Sequence, residues 1–414
     1  MSKYPGGVAK RRGQRPLTGD PAIRLLRRIL LCVLTLAFAT GALVAFFGPA
    51  WIERRLNPLT TPEDGWPVSS RAKALHRELV LGDWHADSLL WDRNLLARAD
   101  RGHVDIPRLI EGNVAVQVFT AVTKSPRGQN YGQNSTDAPD NITPLFIGQL
   151  RPFPSWFSLK ERALVQAAAL NRAAEAATQD LRVIRSAKDL ETLLAERRAG
   201  AKTVGTILGA EGGQPLEGDI ANLRVLYGAG FRLMGLTHFF DNELGASLHG
   251  AAGSEAGLSP FGREVVREMQ ARRMVIDLAH ASPQMVRDVL AMPGTRPILS
   301  HTGINSHCPS PRNLQDDLVK AIAAKGGVIG IGFWTDVNCG KTPADIAASI
   351  KAAIALVGED AVSLGSDYDG SVDAPFDVAH LDVLTQALLD AGLTEAQIAK
   401  VMGGNMMRYL ARTL

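Results

Sequence analysis

The sequence predicts an α/β protein, a (β/α)8 TIM-like barrel preceded by one transmembrane helix. Two observations carry that expectation. No residue from Ile29 to Ile52 is charged, and beyond residue 72 short apolar runs alternate with amphipathic stretches. Strand then helix, repeated eight times, is the pattern of a closed parallel barrel. An open doubly wound sheet is the main rival.

Taken in chain order, the first element is a basic tail, residues 1–28. Lys3, Lys10, Arg11, Arg12, Arg15, Arg24, Arg27 and Arg28 stand there against Asp20 alone. The whole chain carries only +3, so the remainder is slightly acidic and nothing points to nucleic acid. The uncharged segment 29–52 spans roughly 36 Å at helical rise, enough to cross a bilayer. Basic residues before it place the tail in the cytoplasm and everything after Trp51 outside, which is the periplasm in a bacterial host. A cleaved signal peptide is the alternative. Against it, the apolar run exceeds an ordinary signal core, and Gly48-Pro49-Ala50-Trp51 is a poor small-residue cleavage site.

Residues 53–72, with Pro58, Pro62, Gly65 and Pro67, read as a linker to a body at 73–414. A 46% hydrophobic and 21% charged composition is that of a globular chain with a large core. The expected strands are Glu78–Trp84, Ala115–Val122, Thr203–Gly209, Phe231–Thr237, Met274–Ala279, Pro297–Ser300, Gly327–Phe333 and Val362–Ser366. Helical spacing is clear between them, as in Phe261, Val265, Val266 and Met269. Thr123–Trp156 breaks the short-loop pattern before a helix begins near Ser158. It is either a lid or a mobile surface, and its Phe153, Trp156 and Phe157 either pack on the barrel or touch lipid. Of the three cysteines, Cys32 falls in the membrane segment. That leaves Cys308 and Cys339 to pair in an oxidising compartment, with two free buried thiols as the alternative.

Ligand-type residues recur at the ends of these strands, which is where catalytic groups converge in a barrel. His85-Ala86-Asp87 puts two donors on one face of an extended chain. One such triplet is unremarkable alone, because a capping Asp beside a surface His would produce it too. Glu211 follows the third run, His238 the fourth, His280 the fifth, His301 the sixth and Asp367 the eighth. A glutamate just past a buried run needs a partner, and a metal is one. Three histidines in one context, an apolar strand and then a small residue, are better explained by a shared site than by separate core positions. The other histidines, His76, His103, His249, His307 and His380, lack that context and read as surface or supporting residues. Arg312 is either a solvated residue pairing with Asp316 or Asp317, or a fork for a carboxylate.

Five segments together resemble the membrane dipeptidase (renal dipeptidase) family of zinc peptidases, from about residue 75 to the C-terminus. They are Gly82-Asp83-Trp84-His85-Ala86-Asp87, Gly257-Leu258-Ser259-Pro260-Phe261-Gly262, Ile276-Asp277-Leu278-Ala279-His280, Pro311-Arg312-Asn313 and Gly365-Ser366-Asp367-Tyr368-Asp369-Gly370. Gly403-Gly404-Asn405 near the end belongs to the same likeness. The resemblance implies a barrel of the metal-dependent hydrolase type with two zinc ions per chain. His85 and Asp87 would bind one ion, His280 and His301 the other, and Glu211 both. It further implies that His238 contacts the scissile carbonyl, Arg312 clamps the substrate carboxylate and Asp367 handles the proton in dipeptide hydrolysis. A homodimer is compatible with this reading. Two rivals stay open: a barrel metallohydrolase acting on other amides, esters or lactams, and a non-catalytic membrane-tethered binding protein.

Overall fold

A computed structural model describes residues 1–2, 6–7 and 20–414, except the side chains of 43–46. Of the expected basic tail, Lys3, Lys10, Arg11, Arg12 and Arg15 lie outside the described residues. Nine strands form one parallel sheet: β1 Leu81–Ala86, β2 Val114–Val122, β3 Leu181–Val183, β4 Val204–Glu211, β5 Phe231–Gly235, β6 Val275–Asp277, β7 Leu299–Thr302, β8 Ile329–Ile331 and β9 Val362–Leu364. Eight of them run in the order β6-β5-β4-β2-β1-β9-β8-β7, and a parallel bridge from Asp277 to Ile298 brings the two ends together. The result is a nearly closed (β/α)8 barrel. β1, β2 and β4 are buried at every position, because helices cover the outside while side chains fill the inside.

β3 is the strand that the apolar runs do not announce. It is three residues long and half-exposed, and it pairs only with the start of β4, outside the barrel circuit. β1 and β7 also lie slightly later than expected, so His85 and His301 sit inside strands and not beyond them.

The covering helices are set by local signals. Pro260–Ala271 starts on Ser259, whose hydroxyl accepts from the Gly262 amide, has proline in its first turn, and buries Val265, Val266 and Met269. Within the strands, Trp84, Val118, Ile207, Leu233 and Val275 form an apolar cluster with Met406 and Leu410 of the C-terminal helix Asn405–Thr413.

Helix α1, Pro21–Leu56, is long and apolar enough to cross a membrane and is the only such helix among the described residues. It runs four residues past the expected segment. Glu53 is 1% exposed, and its carboxylate pairs with Arg93 and, at 2.6 Å, with Arg101. The expected linker therefore begins with a helical turn locked to the barrel. After it, α2 (Ser70–Glu78) and α3 (Ile106–Glu111) flank β1.

The long insertion is pinned. It contains α4 (Ile142–Gly148) and a 3-10 turn at Phe153–Trp156, and it ends at α5 (Leu159–Ala176), which begins near Ser158 as the sequence predicts and is capped by that residue. Asp140 accepts from the amides of Ser125, Ile142 and Thr143, and Arg162 reaches it at 2.6 Å while also donating to the carbonyls of Thr123 and Ser155. Cys308 and Cys339 form a disulfide, and Cys32 is free and exposed on α1.

Candidate metal centre

The strands deliver their polar residues to one end of the barrel. Val118 and Thr120 alternate along β2 beside Ile207 and Gly209 of β4, and Glu211 comes next on the same face. Glu211 is the hub. Its Oε1 lies 3.4 Å from His85 Nε2, 3.2 Å from His280 Nε2 and 3.5 Å from His301 Nε2, while its Oε2 lies 3.3 Å from His238 Nε2. His85 Nε2 also stands 3.4 Å from Asp87 Oδ1 and 3.8 Å from Asp367 Oδ1. The predicted residues thus fall into three overlapping clusters whose ligand atoms lie within 4.8 Å of one another: His85-Glu211-His301, Glu211-His238-His280 and His85-Asp87-Asp367. All are buried. Geometry alone puts His238 as close to Glu211 as the other histidines are.

The hydrogen bonds beneath the cluster show which atoms are left for a cation. Ser300 Oγ donates to Asp277 Oδ2 at 2.6 Å, so its oxygen accepts from His301 Nδ1 at 2.7 Å. His301 Nε2 is then a bare lone pair, 3.0 Å from His280 Nε2 and facing a carboxylate oxygen. Two ring nitrogens this close need a proton on His280 Nε2 or a metal ion between them, and the donor set of imidazole and carboxylate is the set that zinc takes. The residues fit a divalent metal centre.

Charge is distributed unevenly over the cluster. Burial alone pushes the Glu211 carboxyl up, but His238 and His85 beside it outweigh burial and hold it well below the usual range. Burial drives His280 and His301 well below the normal imidazole value, helped by Arg312 beside the first and by His85 and Arg312 beside the second. Asp87 is raised to about 6 by burial and by Glu211.

The last loop of the site is strained. Asp367, Asp369 and Ser371 all have left-handed φ between 61° and 65°, which non-glycine residues adopt at a cost. Gly370 is required between them, since a Cβ there would sit 2.2 Å from Asp367 Oδ1. Asp369 fixes the loop by accepting from Ser88 Oγ and the His103 amide while pairing with Arg93. Arg93 in turn holds Glu53 at the end of α1.

Arg312 is not a solvated residue. It is buried, donates to the carbonyls of Ala279 and His301 at 2.9 and 2.8 Å, and lies under Trp334 at 5.6 Å. These bonds fix its plane at the wall of a cavity of about 630 Å³ that also meets Asp87, Glu211, His238, His280 and Asp367.

Several supporting residues escaped the sequence reading. Asp83 accepts from Gln117, and from the Ser366 amide and hydroxyl, and Asp277 orients Ser300; Thr120 donates to Asp87. A carboxylate inside a buried strand was the available signal for both aspartates. His76, His103 and His249 prove to be buried as well, whereas His307 and His380 are exposed. His249 stacks on Phe239 with centroids 5.0 Å apart, its Nδ1 lies 3.0 Å from the Tyr131 carbonyl, and burial followed by Arg312 lowers it to about 3. No sequence pattern marks it.

Comparison with known proteins agrees with this architecture. The model of the membrane dipeptidase family (peptidase family M19) matches residues 69–413. Dipeptidase aclJ of Aspergillus oryzae is 33% identical over 215 residues, 50% of this chain and 51% of that protein. Dipeptidase tcpJ of Claviceps purpurea is 28% identical over 316 residues, 75% of this chain and 69% of that protein. The chain therefore matches about half the length of the first relative. Among solved structures, a metallo peptidase from Rhodobacter sphaeroides liganded with a phosphinate mimic of L-Ala-D-Ala superposes with a TM-score of 0.65 at 23% identity, over 81% of this chain and 99% of that one. The probable dipeptidase PvdM from Pseudomonas aeruginosa gives 0.69 at 18%, over 83% and 97%. These two share the fold. With the family model spanning the whole barrel and its strand-end residues gathered around Glu211, the chain belongs to the membrane dipeptidase family, peptidase family M19.

Proposed function

We propose that the chain is a zinc-dependent dipeptidase that hydrolyses dipeptides with a free C-terminal carboxylate, working outside the cytoplasm from a membrane anchor. The observation that carries this reading is the Glu211 carboxylate set among four imidazoles at the mouth of the barrel, with the buried Arg312 guanidinium on the same cavity wall.

His85 and Asp87 would hold one zinc ion, His280 and His301 a second, and Glu211 would serve both. Bound zinc supplies Lewis acidity, which polarises the scissile carbonyl and makes water a competent nucleophile at neutral pH. Arg312 takes the substrate carboxylate, which sets the register of the peptide bond and restricts the site to very short peptides. His238 donates to the carbonyl oxygen as negative charge builds on it. Asp367 receives the proton of the attacking water and passes it to the leaving amine. The remaining assignment is one of place: tail 1–28 inside, α1 across the membrane at 29–52, and the barrel outside.

The test is a panel of dipeptides against their C-terminal amides in the presence of zinc, with metal content measured on the same sample. Hydrolysis of the free acids, at least ~10-fold slower turnover of the amides and close to two metal ions per chain are expected. Full activity after complete metal removal would overturn the reading.

A further inference from the structure

We infer that the segment from Ile147 to Phe157 is a second membrane contact, which seats the mouth of the catalytic cavity against the lipid surface. The inference rests on the reading of α1 as a membrane helix and goes beyond it, since a tether alone leaves the orientation of the barrel free.

The segment exposes a concentrated apolar surface. Ile147, Leu150, Phe153 and Phe157 are 42%, 76%, 64% and 74% exposed. Beyond α1, the other large apolar side chains exposed among the described residues are the terminal Met1 and Leu59, Val80 and Val225, each isolated in sequence. Phe153 touches Trp156 and Phe157 with centroids 5.2 and 5.1 Å apart, so the three rings form one cluster. Contiguous apolar patches of this kind mark interaction surfaces, whereas scattered ones do not.

The segment also withdraws its polarity. Its one charged side chain, Arg151, is 9% exposed, lies 5.7 Å from the Phe146 ring and pairs with Asp92 at 3.4 Å. Gln149 is buried and donates to the Leu90 carbonyl. Leu150 takes a left-handed φ of 54°, a conformation that is costly for a bulky residue, while its side chain stays in the open.

Position names the occupant. α4 packs on α1, where a Cβ on Gly148 would stand 3.7 Å from Pro49 Cγ. Pro49 lies two residues before Trp51, which is exposed under the Arg55 guanidinium at 5.7 Å. A tryptophan and an arginine at the end of an apolar helix mark the boundary between lipid and water. The apolar segment is thus held at the level where α1 leaves the bilayer. It cannot swing away, because Glu53 is bound to Arg93 and Arg101 one turn later. Pro49, Ile52 and Leu56 of α1, with Ile142 and Leu145 of α4, also form one wall of the catalytic cavity, so the mouth opens beside the lipid headgroups.

The experiment uses the full chain in vesicles of phosphatidylethanolamine and phosphatidylglycerol. In a Cys32→Ser background, single cysteines replace Leu34 on α1, Leu150, Phe153, Phe157 and the remote exposed Lys188, each carrying a nitroxide. Collision rates with oxygen, which concentrates in lipid, and with a water-soluble nickel chelate are then compared. Positions 150, 153 and 157 should favour oxygen several-fold, as position 34 does, while position 188 favours nickel. Adding Phe153→Asp should return the labels at 150 and 157 to the aqueous ratio, with the circular dichroism melt unchanged. Lipid exposure at 34 with aqueous exposure at 150, 153 and 157 would overturn the inference and leave the anchor standing. An aqueous signal at 34 as well would remove both. Spin-spin broadening at position 153 that grows with protein density would show that a second copy covers the patch, which also overturns the inference.

Discussion

The same strands carry two chemistries a few residues apart. On the N-terminal side of Thr120 and Glu211, the wholly apolar side chains of Val118, Ile207, Leu233 and Val275 pack on Met406 and Leu410. At the other end Thr120, Glu211, His238 and His280 crowd donors and acceptors that satisfy one another only in part; His280 Nδ1 has no hydrogen-bond partner. The apolar end holds the barrel together by burial, roughly 25 cal/mol for each Å² removed from water. The polar end is tolerable only because that stability is in hand, and because a cation can settle its lone pairs.

This contrast makes opposite changes at the two ends diagnostic. Glu211→Ala should abolish metal-dependent hydrolysis, a fall of at least ~10³-fold in kcat/KM or roughly 4 kcal/mol, while the circular dichroism of the metal-free protein stays native. Unchanged turnover in that variant would break the assignment of Glu211 as the hub. Leu410→Ala at the apolar end should do the reverse. It should cost about 2–5 kcal/mol in denaturant unfolding and leave kcat of the folded fraction intact. Arg312→Ala should raise KM by ~10–100-fold with a smaller change in kcat, as expected of a contact that holds ground state and transition state alike. An equal loss for free-acid and amide substrates would show that it acts only by supporting the Ala279 and His301 carbonyls.

The smallest effect belongs to a histidine outside both regions. His76, on α2, is buried against the helix Asp382–Asp390 and the turn after α3; its ring contacts Thr385 Oγ1 at 2.9 Å and the Gly112 carbonyl at 3.2 Å. Burial lowers its pKa below the ordinary 6.5, with the Gly112 bond opposing. Its unfolded form therefore binds the proton first, so its contribution is present above about pH 6.5 and fades on acidification. Equilibrium unfolding between pH 7.5 and 5.5 should show a decline to which the other buried histidines, His103 and His249 among them, also contribute, and His76→Gln should make it shallower by the share of one group. An identical slope in the variant would assign the effect elsewhere.

Much of this was legible before any coordinates. The apolar runs named all eight barrel strands, because a strand buried on both faces must be apolar nearly throughout. β3 was missed because it is short, half-exposed and peripheral, and so carries no such run. His85, Asp87, Glu211, His238, His280, His301 and Asp367 could be singled out because a parallel barrel gathers the ends of its strands at one rim, however far apart they lie in sequence. Arg312 was visible only as two alternatives, solvated or functional, since a loop residue carries no periodicity to say which way it turns.

The sequence by itself therefore determined the barrel, the long apolar N-terminal helix and which residue types stand at the strand ends, since these follow from patterns within a few residues of each position. Tertiary structure alone decided the rest. It turned Arg312 inward onto two carbonyls, set the bare His301 nitrogen against Glu211 through Ser300 and Asp277, and carried α1 into an ion pair that reaches the loop of Asp367 through Arg93 and Asp369. Each of these joins residues distant in the chain, with energies fixed by burial and by angstrom-scale geometry that no local pattern encodes.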